Sequence, residues 1–298
     1  MTALKFIVKR NIKLFFKDKG IFFTSLITPL ILLVLYVTFL GNVYRDSFLM
    51  GIPAGIDVAE EVINGCVGGQ LVSSLLAVCC VTVSFCSNML MVQDKTNGAR
   101  MDITTSPIKP SILAFGYYIA SFISTLIISL VAAGAGFAYL AVNGWYLSAG
   151  DVLLTLLDVF ILVMFGTALS SVINFFLSSQ GQISAVGTIV SSGYGFICGA
   201  YMPLSQFSEG LRKVLMFLPG TYGTSLIRNH MMSGALTELE SYKIPTEAIE
   251  AIKDAIDCNI YFFDNKVETS TMFIVMGATV GALLAGYIAL NMFKKKSK

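Results

Sequence analysis

The stretch VGGQLVSSLLAVCCVTVSFCSNMLMV, residues 67–92, runs for 26 residues without an acidic or basic side chain. A helix needs about 20 predominantly apolar residues to cross the hydrocarbon core of a bilayer. Six such runs occur in the sequence: Ile21–Leu40, Val67–Val92, Ile112–Val142, Val152–Leu177, Ile183–Met202 and Thr271–Phe293. The sequence therefore predicts an all-α, polytopic membrane protein with six transmembrane helices.

The composition agrees with lipid as the main solvent of this chain. Of its 298 residues, 55% are hydrophobic and only 13% are charged, whereas a soluble domain has about 25% charged residues. No basic cluster with interleaved aromatic residues is present, so nucleic acid is not an expected partner. The motifs of phosphate-binding loops, nucleophile elbows and zinc peptidases are also missing. We therefore expect a chain that is not an enzyme and has no cofactor or metal of its own.

The distribution of Lys and Arg predicts the orientation, because cytoplasmic loops and termini carry an excess of these residues. Six lie in the N-terminal segment, three in the loop 93–110, and four in the C-terminal tail, namely Lys294, Lys295, Lys296 and Lys298. The loop Gly41–Cys66 holds only Arg45. We therefore expect a cell-membrane protein with both termini and the 93–110 loop in the cytoplasm, and with residues 203–268 as an external loop.

Residues 1–20 are predicted to form a cytoplasmic amphipathic helix ahead of the six-span domain, residues 21–298. One helical face carries Leu4, Ile7, Val8, Leu14 and Phe15, and the other carries Lys5, Lys9, Lys13 and Lys17. A basic amphipathic helix beside a span lies in the membrane interface, where membrane lipid is its partner. Two readings stay open and are compatible: a lipid anchor, or an elbow helix that also touches a cytoplasmic partner.

The segment after the fifth span carries a second amphipathic pattern. Leu204, Phe207, Leu211, Leu215 and Leu218 recur at helical spacing between Pro203 and Pro219, which predicts one external helix that lies on the membrane or re-enters it. A further helix is predicted from about Thr246, with Ile249, Ile252 and Ile256 on one face of a small acidic cap. Cys66 and Cys258 both fall in predicted external loops, and whether they pair is left open.

Asp158 is the one ionisable side chain within the six apolar runs. Such a residue is a functional candidate by default, here for the translocation path. The alternative is that its carboxylate, near the external end of the fourth span, reaches lipid headgroups or a hydrated vestibule.

The polar loop 93–110 likewise has two readings, an ordinary solvated loop or a docking element.

Two local patterns resemble a known family. After the second span stand Asp94-Lys95, Gly98, Asp102 and Pro107, and after the fifth stand Gly199 to Pro203, Pro219 and Arg228. In this order the chain resembles the permease subunit of type-2 ATP-binding-cassette (ABC-2) exporters. It departs from the family pattern where Asp94 replaces a common Glu and Ala99-Arg100 replaces Thr-Leu.

The resemblance implies a pathway formed by two permease chains, as a homodimer or a heterodimer, and two copies of a separate ATPase subunit that holds ATP and Mg. It implies export of a hydrophobic or amphipathic substrate, such as a drug or a lipid-linked or peptide-like molecule, along a dimer interface lined by spans two and five. The ATPase-coupling residues would be Asp94, Lys95, Gly98, Arg100, Asp102 and Pro107. The external gate would comprise Pro203, Leu204, Phe207, Leu211, Leu215 and Pro219.

Two other functions are compatible with the apolar spans. One is a membrane assembly or immunity protein without a transport cycle, which would copurify with no ATPase. The other is a secondary carrier, although the spans hold few of the ion-coordinating groups that such carriers use at mid-membrane.

Overall fold

The fold was analysed in a computed structural model that describes residues 2–293. The four lysines of the predicted C-terminal tail, Lys294, Lys295, Lys296 and Lys298, lie outside the described residues. Helices make up almost the whole of the described chain, and one two-stranded hairpin accompanies them. The all-α class predicted from the apolar runs is confirmed.

The helices follow one another with short connections. Their bounds are α1 (Thr2–Lys17), α2 (Lys19–Leu35), α3 (Gly41–Gly51), α4 (Glu60–Asn88), α5 (Leu90–Thr96), α6 (Ala99–Thr105), α7 (Pro110–Asn143), α8 (Ala149–Phe176), α9 (Gln180–Ile197), α10 (Glu209–Leu215), α11 (Pro219–Ser241), α12 (Thr246–Ala255) and α13 (Thr269–Phe293). The strands β1 (Tyr261–Phe262) and β2 (Asn265–Lys266) pair antiparallel between α12 and α13.

Five helical stretches in the described residues are long and apolar enough to cross a membrane. They are Lys19–Gly51, Glu60–Thr96, Pro110–Asn143, Ala149–Phe176 and Thr269–Met292. The predicted fifth span, Ile183–Met202, corresponds to α9, a helix of 18 residues that begins with Gln180 and Gln182 and carries several hydroxyl side chains. The chain is thus a multi-pass membrane protein with five clear candidate spans.

The first span is longer than predicted. Helix α2 continues through a π-helical turn, Tyr36–Leu40, into α3, which ends at Gly51. The loop predicted over Gly41–Cys66 is therefore wrong, and Cys66 lies inside α4, where it is fully buried. Each hydrophobic run covers only the part of a helix that is apolar enough to lie in lipid. The helices extend beyond these runs into more polar turns, which are helical because they pack on neighbouring helices.

Helix α4 forms the centre of the bundle. Nearly all of its side chains are buried, and it contacts α2, α7, α8, α9 and α11. Gly136 of α7 permits one close approach, since a Cβ at this position would come within 2.3 Å of the Val72 Cγ1 atom. Because α4 is enclosed by the same chain, lipid contacts mainly the helices around it.

The bundle has two ends, which we name after the helices they carry. At the α6 end, α1 packs against α7, and Tyr287 near the end of α13 donates a hydrogen bond of 3.4 Å to the Ala114 carbonyl at the start of α7. At the α12 end, α12 contacts α3 and α11, and its Lys253 pairs with Glu240 near the end of α11. The helix predicted from Thr246 is confirmed, and its face of Ile249, Ile252 and Ile256 is buried.

Helix α11 was missed by the sequence analysis, which treated residues 203–268 as one external loop. It packs against α4, α8 and α13 and buries most of its length. A Cβ on Gly223 would lie 2.6 Å from Leu162 Cδ1, halfway along α8, and one on Gly234 would meet the Tyr146 carbonyl that precedes α8. Helix α11 therefore runs beside the first half of α8 as part of the bundle. Its residues are too polar on average to read as a span.

Candidate functional site

Helix α6 is a short exposed helix at one end of the bundle. It has seven residues, none of them buried, and Met101 is 75% exposed. Gly98 precedes it with φ +80°, a left-handed conformation that favours glycine. Pro110 starts α7 at the first helical position, where its missing N–H costs nothing. The predicted residues Gly98, Arg100, Asp102 and Pro107 thus belong to a protruding element that a partner can reach.

Asp94 lies beneath this element rather than on its surface. Its carboxylate accepts two hydrogen bonds from the Arg10 guanidinium, at 2.7 and 3.0 Å, and one from the Tyr117 hydroxyl at 2.6 Å. The Asp94 side chain is only 7% exposed. A bidentate Arg–carboxylate pair is directional as well as strong. Through it, α5 is bonded to both α1 and α7.

Lys95 bonds the same short helix to α8. Its ammonium group donates to the carbonyl oxygens of Asn174, Phe175 and Leu177, at 2.9 to 3.0 Å. These carbonyls lie at the C-terminal end of α8, where the Asn174 oxygen also accepts the Leu177 N–H at 3.3 Å. Carbonyls in a last helical turn have few intrahelical donors, and the helix dipole there favours a positive charge. Thr96 receives a bond of 3.2 Å from Gln180 at the start of α9. We call Arg10, Asp94, Lys95, Thr96 and Tyr117 the relay cluster.

The sequence analysis named Asp94 and Lys95 but missed Arg10 and Tyr117. One signal was available for Arg10, since it stands outside the row of Lys5, Lys9, Lys13 and Lys17 on α1. The buried row of that helix is Ile7, Asn11 and Phe15, at spacings of four residues, and Arg10 lies beside it. No sequence signal connects Tyr117 with a residue 23 positions earlier.

A second polar network lies toward the α12 end. Arg228 of α11 is fully buried and donates to the Gly199 carbonyl at 2.9 Å and to the Ser74 hydroxyl at 3.1 Å. Its other terminal nitrogen lies 3.3 Å from Asp257 Oδ2, and the same oxygen accepts the Leu204 N–H at 2.8 Å. These five residues, the gate network, join α4, the end of α9, the segment before α10 and the segment after α12.

The predicted gate helix is wrong as a single helix. A 3-10 turn at Leu204–Gln206 is followed by extended backbone at Phe207 and Ser208, and α10 covers only Glu209–Leu215. Ser208, a residue type that is favoured at helix N-caps, begins α10 as its N-cap, while Asp257 holds the Leu204 N–H at the other end of the segment. Leu204 and Leu215 are buried, Pro203, Phe207 and Pro219 are half-buried, and Leu211 is exposed, so the five apolar residues do not form one face.

Asp158 has a protein partner within the bundle. Its carboxylate lies 2.5 Å from His230 Nδ1 on α11, and the aspartate side chain has no exposed surface. The His230 ring stacks on Phe273 of α13 with a centroid separation of 6.0 Å. The sequence analysis considered headgroups or a vestibule for this carboxylate and did not consider His230. The pair connects α8, α11 and α13.

The cysteines of the described chain are free and buried. Cys66 and Cys258, whose pairing was left open, belong to the same apolar cluster as free thiols. Burial raises the pKa of the Cys258 thiol to about 12. Since the thiolate is the reactive form, this cysteine is unreactive at neutral pH.

The described chain is thus an apolar helical bundle with an exposed helix, α6, at one end, and the neighbouring helix α5 is bonded to α1, α7, α8 and α9. The sequence comparisons name the group. A profile of the family described as ABC-2 type transporter matches residues 2–232. The chain belongs to this family, which implies an ABC ATPase subunit as its partner. Curated proteins give no significant match.

Proposed function

We propose that this chain is the permease subunit of an ABC exporter in the cell membrane, with six spans and both termini in the cytoplasm. Helix α9 would be the fifth span, because its 18 residues measure about 27 Å, close to the roughly 30 Å of a hydrocarbon core. The α6 end would then be cytoplasmic, which the exposed lysines of α1 favour. Helix α1 would be the elbow helix, and α10 with the start of α11 the re-entrant element.

The single observation that carries the proposal is the position of the relay cluster under α6. An ATPase that binds α6 and moves it would also move α5, because the two helices are joined by a short connection that contains Gly98. Helix α5 is bonded to α1 and α7 through Asp94 and to α8 through Lys95. A movement of α6 is therefore transmitted by charged hydrogen bonds to the elbow helix α1 and to the membrane helices α7 and α8. ATP drives transport only if the ATPase binds the two conformations of the permease with different affinities.

A second permease chain would complete the pathway. Helix α4 is enclosed within one chain and is not available to line an interface between chains. Exposed apolar residues occur on α2, α7, α8, α9 and α13, but among the long helices α2 and α9 each pack mainly against α4. This leaves exposed Phe23, Ile27, Ile31 and Val34 on the first and Ile189 and Phe196 on the second. We therefore replace the predicted pair of spans two and five by spans one and five. Membrane lipid would cover these faces outside the dimer.

The remaining assignments follow from this arrangement. ATP and Mg would be held by two copies of the ATPase subunit, and the permease itself would catalyse no reaction. A hydrophobic or amphipathic cargo would fit a path between apolar faces. The gate network would hold the α12 end closed, because it anchors Leu204 to α11 and α4. Asp158 stays a candidate for the path, and its pair with His230 favours a role in holding α8 against α11.

The test is cargo-stimulated ATP hydrolysis in liposomes, using the full chain with the ATPase that copurifies with it. The double variant Arg100→Glu with Asp102→Lys reverses both charges on α6, so we expect it to lose the ATPase on purification and to abolish stimulation. The matched control is Glu247→Lys with Lys243→Glu, which reverses two exposed charges at the α12 end. Stimulated hydrolysis that is unchanged by the α6 variant would refute the coupling assignment.

A further inference from the structure

A pocket of about 680 Å³ opens at the α12 end between α10, α12 and the hairpin. This volume is within the range of roughly 300–1,000 Å³ that is usual for small-molecule sites. The α12 and hairpin side of the pocket lies beyond residue 232, where the family match ends. The pocket is therefore built largely from residues that the family assignment does not explain.

The pocket presents charges of both signs, and some of them form no ion pair among the described residues. Arg212 of α10 lines it, and within the described residues its guanidinium has no hydrogen bond or ion pair. Lys213 beside it is paired with Glu209 at 2.6 Å. Arg212 is thus the cation of this wall that is available to a ligand. An Arg guanidinium favours a phosphate, to which it donates parallel hydrogen bonds.

The opposite charge comes from α12 and the hairpin. Asp254 Oδ1 accepts bonds from Asn259 at 2.7 Å and from the Tyr261 hydroxyl at 2.9 Å. These neutral donors fix the carboxylate, while Oδ2 has no partner among the described residues. Asp264 also lines the pocket, and no described residue forms an ion pair with it. Neither carboxylate has an ion-pair partner among the described residues, and together they favour an ammonium group. Asp254 is the stronger candidate, because the Lys213 ammonium interacts electrostatically with Asp264.

The surface beside the pocket is apolar and lies next to a membrane span. Phe217 is 62% exposed, Val214 is 59% exposed and Phe263 is 53% exposed, and the Phe217 ring packs edge-on against Phe262 at 5.1 Å. The hairpin ends at Lys266, and α13 starts at Thr269. Tyr261, which lines the pocket, is 40% exposed, and Tyr or Trp near the start of a span is typical of the membrane–water interface. The pocket therefore lies at headgroup level.

We propose that this pocket binds the headgroup of a zwitterionic phospholipid with a primary ammonium group, of the phosphatidylethanolamine type. Arg212 receives the phosphate, Asp254 and Asp264 receive the ammonium, and the aromatic edge formed by Phe217 and Phe263 borders the acyl chains. The site shares its floor with the gate network, since Leu204 and Asp257 also line it. The inference needs α13 to span a membrane, but it does not depend on the chain being an exporter.

The test measures lipid binding to the purified full chain in detergent by native mass spectrometry. The probes are dihexanoyl phosphatidylethanolamine, dihexanoyl phosphatidylglycerol, which lacks the ammonium, and free phosphoethanolamine, which lacks the acyl chains. We expect the first to bind at least about tenfold more tightly than the other two, because each charged hydrogen bond contributes at this level. Arg212→Gln and Asp254→Asn should each remove this preference.

The matched controls are Lys243→Gln and Glu247→Gln, which remove one exposed charge of each sign elsewhere on the cap and should leave binding unchanged. Both pocket positions are exposed, so their variants should keep the folded state, as melting temperature verifies. Equal binding of the two lipids, or binding that survives both pocket variants, would overturn the proposal. Tight binding of free phosphoethanolamine would assign the pocket to a soluble ligand and overturn the lipid assignment. Neither result would bear on ATP-driven transport.

Discussion

Arg228 shows how a single residue can hold several segments together. Its guanidinium has no exposed surface, and burying a charge is costly unless it is paired and hydrogen-bonded. Here the partners come from α4, from the end of α9 and from the segment after α12. The free-energy cost of burying this charge is offset only when all these segments are in place. Arg228 therefore couples their folding, so that the segments assemble together.

Removing Arg228 should therefore destabilise the protein strongly. Arg228→Met leaves Asp257 as a buried carboxylate without a cation, which typically costs about 3–5 kcal/mol. We expect a lower melting temperature for the purified chain in detergent. Arg228→Met with Asp257→Asn should recover part of the loss, because the amide is neutral and its oxygen still accepts the Leu204 N–H.

The matched comparison is Arg45→Met, which removes an arginine from an ion pair with Glu60 whose carboxylate is largely exposed. Exposed pairs contribute at most about 1 kcal/mol. If Arg45→Met and Arg228→Met lower the melting temperature equally, the gate network has no special structural role.

The ion pairs of Glu250 make the stability of the cap depend on pH. The hydrogen bond from Lys266 is the main cause that lowers the pKa of Glu250 to about 2. A lowered acid pKa means that the stabilising contribution is present above the ordinary pKa of 4.5 and is lost as the pH falls toward 2. We expect Glu250→Gln to lower the melting temperature at pH 6, and the difference from the wild type to shrink between pH 4.5 and pH 2.

The effect should be small, because Glu250 is partly exposed and its ion pairs are screened by water. Glu247→Gln on the same helix serves as the control, since Glu247 forms no ion pair among the described residues. A wild-type minus Glu250→Gln difference that stays constant from pH 6 to pH 2 would contradict the assignment.

At the scale of elements, the sequence predicted the helices whose position depends on hydrophobic periodicity and composition. The apolar runs located the membrane helices, and the spacing of Ile249, Ile252 and Ile256 placed α12 correctly. What it could not predict depends on contacts between distant residues. Arg10 and Asp94 are 84 positions apart, and Asp257, which anchors the Leu204 N–H, stands 53 positions after it. Helix α11 was not predicted from the sequence, because protein rather than lipid covers it and its residues therefore need not be uniformly apolar.

The relay cluster can be separated experimentally from the docking surface of α6. Asp94→Asn weakens the bonds from Arg10 and Tyr117 without altering any exposed residue of α6. We expect the ATPase to copurify as before, while cargo-stimulated hydrolysis falls at least about fivefold, the lower range for a lost coupling free energy. Both quantities are measured on the same reconstituted preparation.

The control for this substitution is Asp151→Asn, which makes the same chemical change at the capped start of α8, at the α12 end. It should leave stimulation intact. Loss of the ATPase from the Asp94→Asn protein would show instead that Asp94 belongs to the docking surface, contrary to its burial.

For the whole molecule, the proposed topology makes α9 a full crossing. Single cysteines at Thr104, Gln180, Ser205 and Glu247 occupy exposed positions along the chain. With a membrane-impermeant maleimide on intact cells, we expect labelling at Ser205→Cys and Glu247→Cys, and none at Thr104→Cys or Gln180→Cys until the cells are opened. The native thiols give little background, because they are buried. Labelling of Gln180→Cys and Ser205→Cys from the same side would exclude α9 as a span.

The enclosure of α4 has a consequence for biosynthesis. This helix leaves the ribosome second among the long helices, yet α7, α8, α9 and α11, which enclose it, are all made later. Until then its amide and hydroxyl groups at Gln70, Ser73 and Ser74, fully buried in the finished fold, face lipid or a chaperone. A chain truncated before α11 lacks Arg228, which donates to the Ser74 hydroxyl, so we expect an unfinished copy to leave that polar group without its partner inside the membrane.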